Sequence, residues 1–128
     1  MEFSSKKNAL EEKCMEFAVE VVRLYKWINK AQKEYKLADQ MMRAGTAVGA
    51  NYGEAQFAES DLDYVHKLKI AMKECHEVIY WLELMVKAEI VPVERYVKLY
   101  DMANEIQVMM GAAVKTVMAK KKETSFVV

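Results

Sequence analysis

Apolar residues recur along almost the entire chain at the three- and four-residue steps that keep side chains on one helix face. Asn8-Ala-Leu-Glu11 has the form of a capping box, and behind it Leu10, Phe17, Leu24 and Ala31 repeat every seven residues. Cys14, Val21 and Ile28 fall between them, so the first helix presents a bundle seam. Ser60-Asp-Leu-Asp63 reads as a second N-cap with acidic residues in the first turn. The helix behind it carries Val65, Met72, Ile79 and Val86 in one row, Leu68, Cys75 and Leu82 in the next, and Ala71, Val78 and Met85 in a third. That is more apolar surface than one face requires. Pro92 stops this helix and suits the first turn of another, whose rows are Tyr96, Ala103, Met110, Val117 and Leu99, Ile106, Ala113. The expected elements are helices over about 8–32, 36–58, 61–90 and 93–121, with residues 122–128 as an unstructured tail. Short connections between them imply a single all-α domain, an up-down-up-down antiparallel four-helix bundle.

The second of these helices is unusual. Gly45, Gly49 and Gly53 are three of the four glycines in the chain, spaced four residues apart inside a helical pattern. Each costs roughly 1 kcal/mol against alanine, a loss that close approach of another backbone would offset. Leu37, Met41, Ala44, Val48 and Ala55 form its core arc; the glycines lie beside that arc, and Arg43, Ala47, Ala50 and Glu54 lie opposite. No charge occurs between Arg43 and Glu54. A bundle helix ordinarily shows a charged wet side, so this one is expected to be covered by its own bundle on one side and by another subunit on the other. Ten uncharged residues are too few to cross a bilayer.

Composition narrows the partners. Nineteen basic residues balance nineteen acidic ones, which argues against a broad electrostatic grip on nucleic acid and leaves only local patches. Lys120, Lys121 and Lys122 sit where they suit the negative pole of the last helix. No secretory signal and no spanning apolar run is visible, so a cytoplasmic protein is expected.

Catalytic and metal chemistry find little support. A bundle di-metal centre needs paired Glu-x-x-His spacings; His66 has Asp63 three residues before it, but His76 has Lys73. Cys75 and His76 are neighbours and point in different directions on a helix, and Cys14 and Cys75 match no ligand spacing, so buried free thiols are expected. The glycine run lies in a helix with no strand before it, unlike a phosphate loop. No catalytic residue, cofactor or metal is therefore assigned. Arg43, Asn51 and Glu54, with Glu77 as the partner of Arg43, are read as a structural polar set fixing register or an interface.

The run Arg43-Ala-Gly-Thr-Ala-Val-Gly-Ala-Asn-Tyr-Gly-Glu-Ala55 resembles the signature of the bacterial four helix bundle family. That family includes proteins encoded in intervening sequences of large-subunit ribosomal RNA genes and the accessory variability determinant of diversity-generating retroelements. Ser60-Asp-Leu-Asp-Tyr-Val-His-Lys-Leu-Lys-Ile-Ala-Met-Lys-Glu-Cys-His-Glu-Val-Ile-Tyr-Trp-Leu-Glu83 is similar to its second block. The resemblance implies a homopentameric ring, in agreement with the surplus apolar surface. It also implies, for retroelement members, binding of a reverse transcriptase and nucleic acid through a basic surface, from which this chain departs in its zero net charge. The expected function is a non-enzymatic, ring-forming scaffold for a protein or RNA partner. The alternative is a nucleic-acid-binding accessory factor using Lys6, Lys7 and Lys120 to Lys122 on the ring rim.

Overall fold

A computed structural model describes residues 7–33 and 36–127. Four helices follow one another: α1 (Ala9–Ala31), α2 (Lys36–Ala55), α3 (Asp61–Lys87) and α4 (Val93–Val127). The starts obey the sequence signals. The Asn8 side chain accepts from the Glu11 backbone N–H at 2.8 Å, and the Ser60 hydroxyl accepts from the Asp63 N–H at 3.0 Å, each satisfying an amide that the helix cannot. Pro92 immediately precedes α4.

Two helix ends use non-glycine residues in the left-handed region, Lys33 at φ 53° after α1 and Glu89 at φ 62° after α3. The Ile90 N–H bonds back to the Met85 carbonyl at 2.8 Å, closing α3 in the manner of a glycine C-cap. The Lys33 N–H likewise bonds back to the Ile28 carbonyl at 3.0 Å, so α1 ends at Ala31 with neither glycine nor proline to mark it. α3 accordingly stops at Lys87, short of residue 90, and α2 gives way to hydrogen-bonded turns after Ala55.

The largest departure concerns the expected tail from residue 122, because α4 continues as helix through Val127. Beyond Gly111 no glycine or proline interrupts it, and Lys, Ala and Met are strong helix formers, so a lysine run at this point does not end the helix. Its 35 residues make it roughly 52 Å long.

Each helix packs on its sequence neighbours, and α4 closes on α1; among the described residues no Cα of α1 comes within 8 Å of α3, nor any of α2 of α4. The arrangement is a square antiparallel bundle, most intimate between α2 and α3 and least between α1 and α4. Its centre is a continuous core that includes Phe17, Leu24, Ile28, Met41, Leu68, Leu82, Met85, Ile106 and Met110, and among the described residues no charged or polar side chain is buried in it. The Met72, Ile79, Val86 row of α3 is only partly covered, flanking α4, where Gln107 Nε2 donates to the Met72 carbonyl at 2.7 Å. No helix among the described residues is long and apolar enough to cross a membrane.

Candidate functional site

The glycine run lies where α2 meets α1. At Gly45 a Cβ would fall 2.7 and 2.9 Å from the two γ-methyls of Val21, and at Gly49 it would fall 3.3 Å from Cys14 Cβ. Two of the three glycines therefore admit α1 of the same chain, and the backbone whose approach was expected is an internal one. Gly53 differs: nothing lies within 4 Å of the position its Cβ would take. It is not a close-packing residue within the chain.

Outside this contact a second apolar stripe appears on α1. Met15, Ala18, Val19 and Val22 follow the i, i+3, i+4, i+7 pattern off the core row, and Met15 and Val19 are 52% and 39% exposed. Across from it α2 turns out Met42, Thr46, Ala50 and Gly53. The Thr46 hydroxyl donates to the Met42 carbonyl at 2.8 Å, and Asn51 Nδ2 donates to the Ala47 carbonyl at 2.8 Å, so the polar side chains of this stretch bond to their own helix. A trench of about 190 Å³ runs along the join, lined by Met15, Ala18, Thr46, Gly49, Ala50 and Gly53, with Lys7 and Glu11 at its end. In the sequence the α1 stripe is a second helical period immediately beside the core seam.

The other flank of α2 is polar. Arg43 donates through Nη1 to Glu74 Oε2 at 3.1 Å and through Nη2 to Glu77 Oε2, joining α2 to α3. The hydrogen bond to Glu77 raises the Arg43 pKa, ahead of the opposing effect of burial. Burial alone would raise the Glu77 carboxyl, but the hydrogen bond and charge of Arg43 outweigh it and leave the carboxyl below its ordinary range. Glu74 is a member of this cluster that the sequence did not single out. Asn51 and Glu54 stand apart from it: Asn51 serves its own helix, and the exposed Glu54 lies 3.7 Å from Lys67 Nζ.

Tyr52 links the ends of the two helices by accepting from Asn8 Nδ2 at 3.1 Å. The thiols offer no nucleophile. Burial pushes Cys14 up to about 11, helped by Glu11, and pushes Cys75 up to about 12, helped by Cys14 nearby. Cys75 Sγ instead donates to the Ala103 carbonyl at 3.6 Å. His66 and His76 are exposed, and no group of three or more His, Cys, Asp or Glu side chains able to hold a metal ion occurs among the described residues. Of the expected basic set, Lys7, Lys120 and Lys122 are exposed and Lys121 partly so, while Lys6 lies outside the described residues.

Residues 6–112 match the 23S rRNA-intervening sequence protein family. The chain belongs to that family. A solved member of what is titled the S23 ribosomal protein family, a protein of unknown function from Bacteroides thetaiotaomicron VPI-5482, superposes with a TM-score of 0.81 at 39% identity, over 84% of this chain and 99% of that one. None of the curated proteins matches. Within the 23S rRNA-intervening sequence protein family match lie all of α1, α2 and α3, hence the whole α1–α2 face and the Arg43 cluster, whereas Lys120 to Lys122 fall beyond it.

Proposed function

We propose that this chain is a non-enzymatic, self-associating scaffold of the cytoplasm, whose α1–α2 face packs against further copies to form the homopentameric ring that the family resemblance implies. One observation carries the reading: the stripe of Met15, Ala18, Val19 and Val22 on α1 and of Thr46, Ala50 and Gly53 on α2 is small or apolar, with the Thr46 hydroxyl and the Asn51 amide bonded to carbonyls of their own helix. Contiguous apolar surface of this kind on a soluble bundle marks an interface rather than a wet side. The uncharged stretch is bounded by Arg43 and Glu54, so charge frames it without crossing it. Light scattering on the purified protein tests the assembly. A stable particle at the 14.8 kDa mass of one chain is the result that would overturn it.

A second reading, a nucleic-acid-binding accessory factor, draws on the end of α4. The Gln107 to Met72 bond sets the antiparallel register, so Lys120 to Lys122 lie past the first residues of α3 on a projecting helix end. Affinity for RNA or DNA that stays weak even at low salt removes this reading.

A further inference from the structure

On the side of the square bundle opposite the α1–α2 face, α4 carries an uncharged stripe of its own. Val93, Val97, Tyr100, Asn104, Val108 and Gly111 follow one another in helical steps of three and four over roughly 27 Å. Val93, Val97, Tyr100 and Val108 are 45–66% exposed. Every charge of α4 before Lys115 stands on its outer or α1-facing side, where Lys98 meets Glu20 at 3.1 Å and Glu105 meets Lys13 at 2.6 Å. On α3 the partly covered row of Met72, Ile79 and Val86 borders the stripe, and at one end a hollow of about 230 Å³ opens between Val86, Val93 and Tyr96. The Tyr96 and Tyr100 rings stack with centroids 5.8 Å apart, which holds the middle of the stripe as a fixed ridge. Apolar surface this long on one side of a bundle is the mark of a contact.

Symmetry says what covers it. A self-complementary patch joins copies in twos, so an odd-membered ring needs two different surfaces on every chain, one meeting the other. With α1–α2 on one side of the square and α3–α4 on the other, α1 of one copy comes against α4 of the next, and α2 against α3. The Lys13–Glu105 and Glu20–Lys98 pairs set the height of α1 against α4 within a chain, and they put Met15 to Val22 level with residues 96–103 of α4. A ring whose axis runs along the bundle keeps those heights from copy to copy, so the exposed α1 stripe meets Val97 and Tyr100. The shapes are complementary as well: the α1–α2 face is a trench lined by Ala18, Thr46, Gly49, Ala50 and Gly53, and the α4 stripe is a ridge of branched and aromatic side chains.

We propose that the α3–α4 face, centred on Val97 and Tyr100, is the surface onto which the α1–α2 face of a second copy of this chain docks, head to tail. The inference rests on the self-association proposed above and adds to it the second, different surface that closure requires.

The test uses two full-length variants, each with one face blocked: Ala50→Glu on α2 and Val97→Lys on α4, both exposed positions, with helicity checked by circular dichroism. Light scattering is measured over a concentration series on wild type, on each variant alone and on an equimolar mixture of the two. Each variant alone should fall to the mass of one chain. The mixture should rise to twice the 14.8 kDa of one chain and no further, because the intact α3–α4 face of one variant can still receive the intact α1–α2 face of the other, once. Wild type at the mass of one chain overturns self-association and this docking with it. Ala50→Glu falling to one chain while Val97→Lys keeps the wild-type mass overturns the docking surface alone, as does a mixture that stays at the mass of one chain.

Discussion

Replacing each α2 glycine in turn by alanine should separate three residues that look equivalent in sequence. On an exposed helix such a change gains about 1 kcal/mol, because alanine loses less backbone freedom on folding. Gly53→Ala meets nothing within 4 Å and should realise that gain. Gly45→Ala puts a methyl 2.7 to 3.0 Å from Cγ1, Cγ2 and Cβ of Val21. Val21 is fully buried and β-branched, held to essentially one rotamer in a helix, so it has no way to swing aside. Overpacking of this kind costs about 1–3 kcal/mol, and after the propensity gain Gly45→Ala should lose up to about 2 kcal/mol. Gly49→Ala, at 3.3 Å from Cys14 Cβ, should fall between the two. Urea unfolding at one fixed protein concentration gives all three values. Combining Gly45→Ala with Val21→Ala should recover part of the loss, with a coupling of about 1 kcal/mol between the two sites. A gain at Gly45 as large as that at Gly53 would refute the account. A loss at Gly53 accompanied by a smaller particle would place its missing neighbour in another copy.

Ala50→Glu puts a charge on the exposed side of α2; it should change the stability of a single chain by less than about 0.5 kcal/mol yet shift the light-scattering mass toward one chain. An unchanged particle size would count against the α1–α2 face as the interface. Glu89→Gly relieves a left-handed residue at the end of α3 and should raise the melting temperature through about 1 kcal/mol of added stability, with no rise if that conformation is cost-free. Glu77→Gln should lose at most about 1 kcal/mol at neutral pH, since Arg43 is half exposed. The folded pKa of Glu77 is lowered, so its contribution is complete above the unfolded carboxylate value and disappears as pH falls through the lowered one. Unfolding curves of wild type and variant should therefore converge in acid, and a gap that widens there would contradict the pairing.

Helix number, order and starts were readable without coordinates, because the 3.6-residue period and the caps at Asn8 and Ser60 are local properties of neighbouring residues. The stops were harder. Lys33 and Glu89 close helices in a conformation that ordinarily calls for glycine, while the glycines of α2 lie inside it, so the usual punctuation is displaced. Arg43 could be matched with Glu77 from facing rows, but Glu74 could not be added, since the vertical offset of α2 against α3 is not written in either helix alone. The three glycines share a spacing of four, and sequence treats them alike.

What distinguishes them is decided by tertiary structure. Successive steps of four residues advance about 40° around a helix, so a run of three moves off the contact line with a neighbour. Gly45 meets Val21, Gly49 meets Cys14, and Gly53 has rotated clear of α1. Likewise, Arg95 and Trp27 lie sixty-eight residues apart, and only the closing of α4 on α1 brings guanidinium and ring together. The chain thus encodes which faces are apolar, because burial free energy acts on composition within each helix. Which face meets which depends on the register and rotation of helices packed against one another, and these are fixed only when all four are in place.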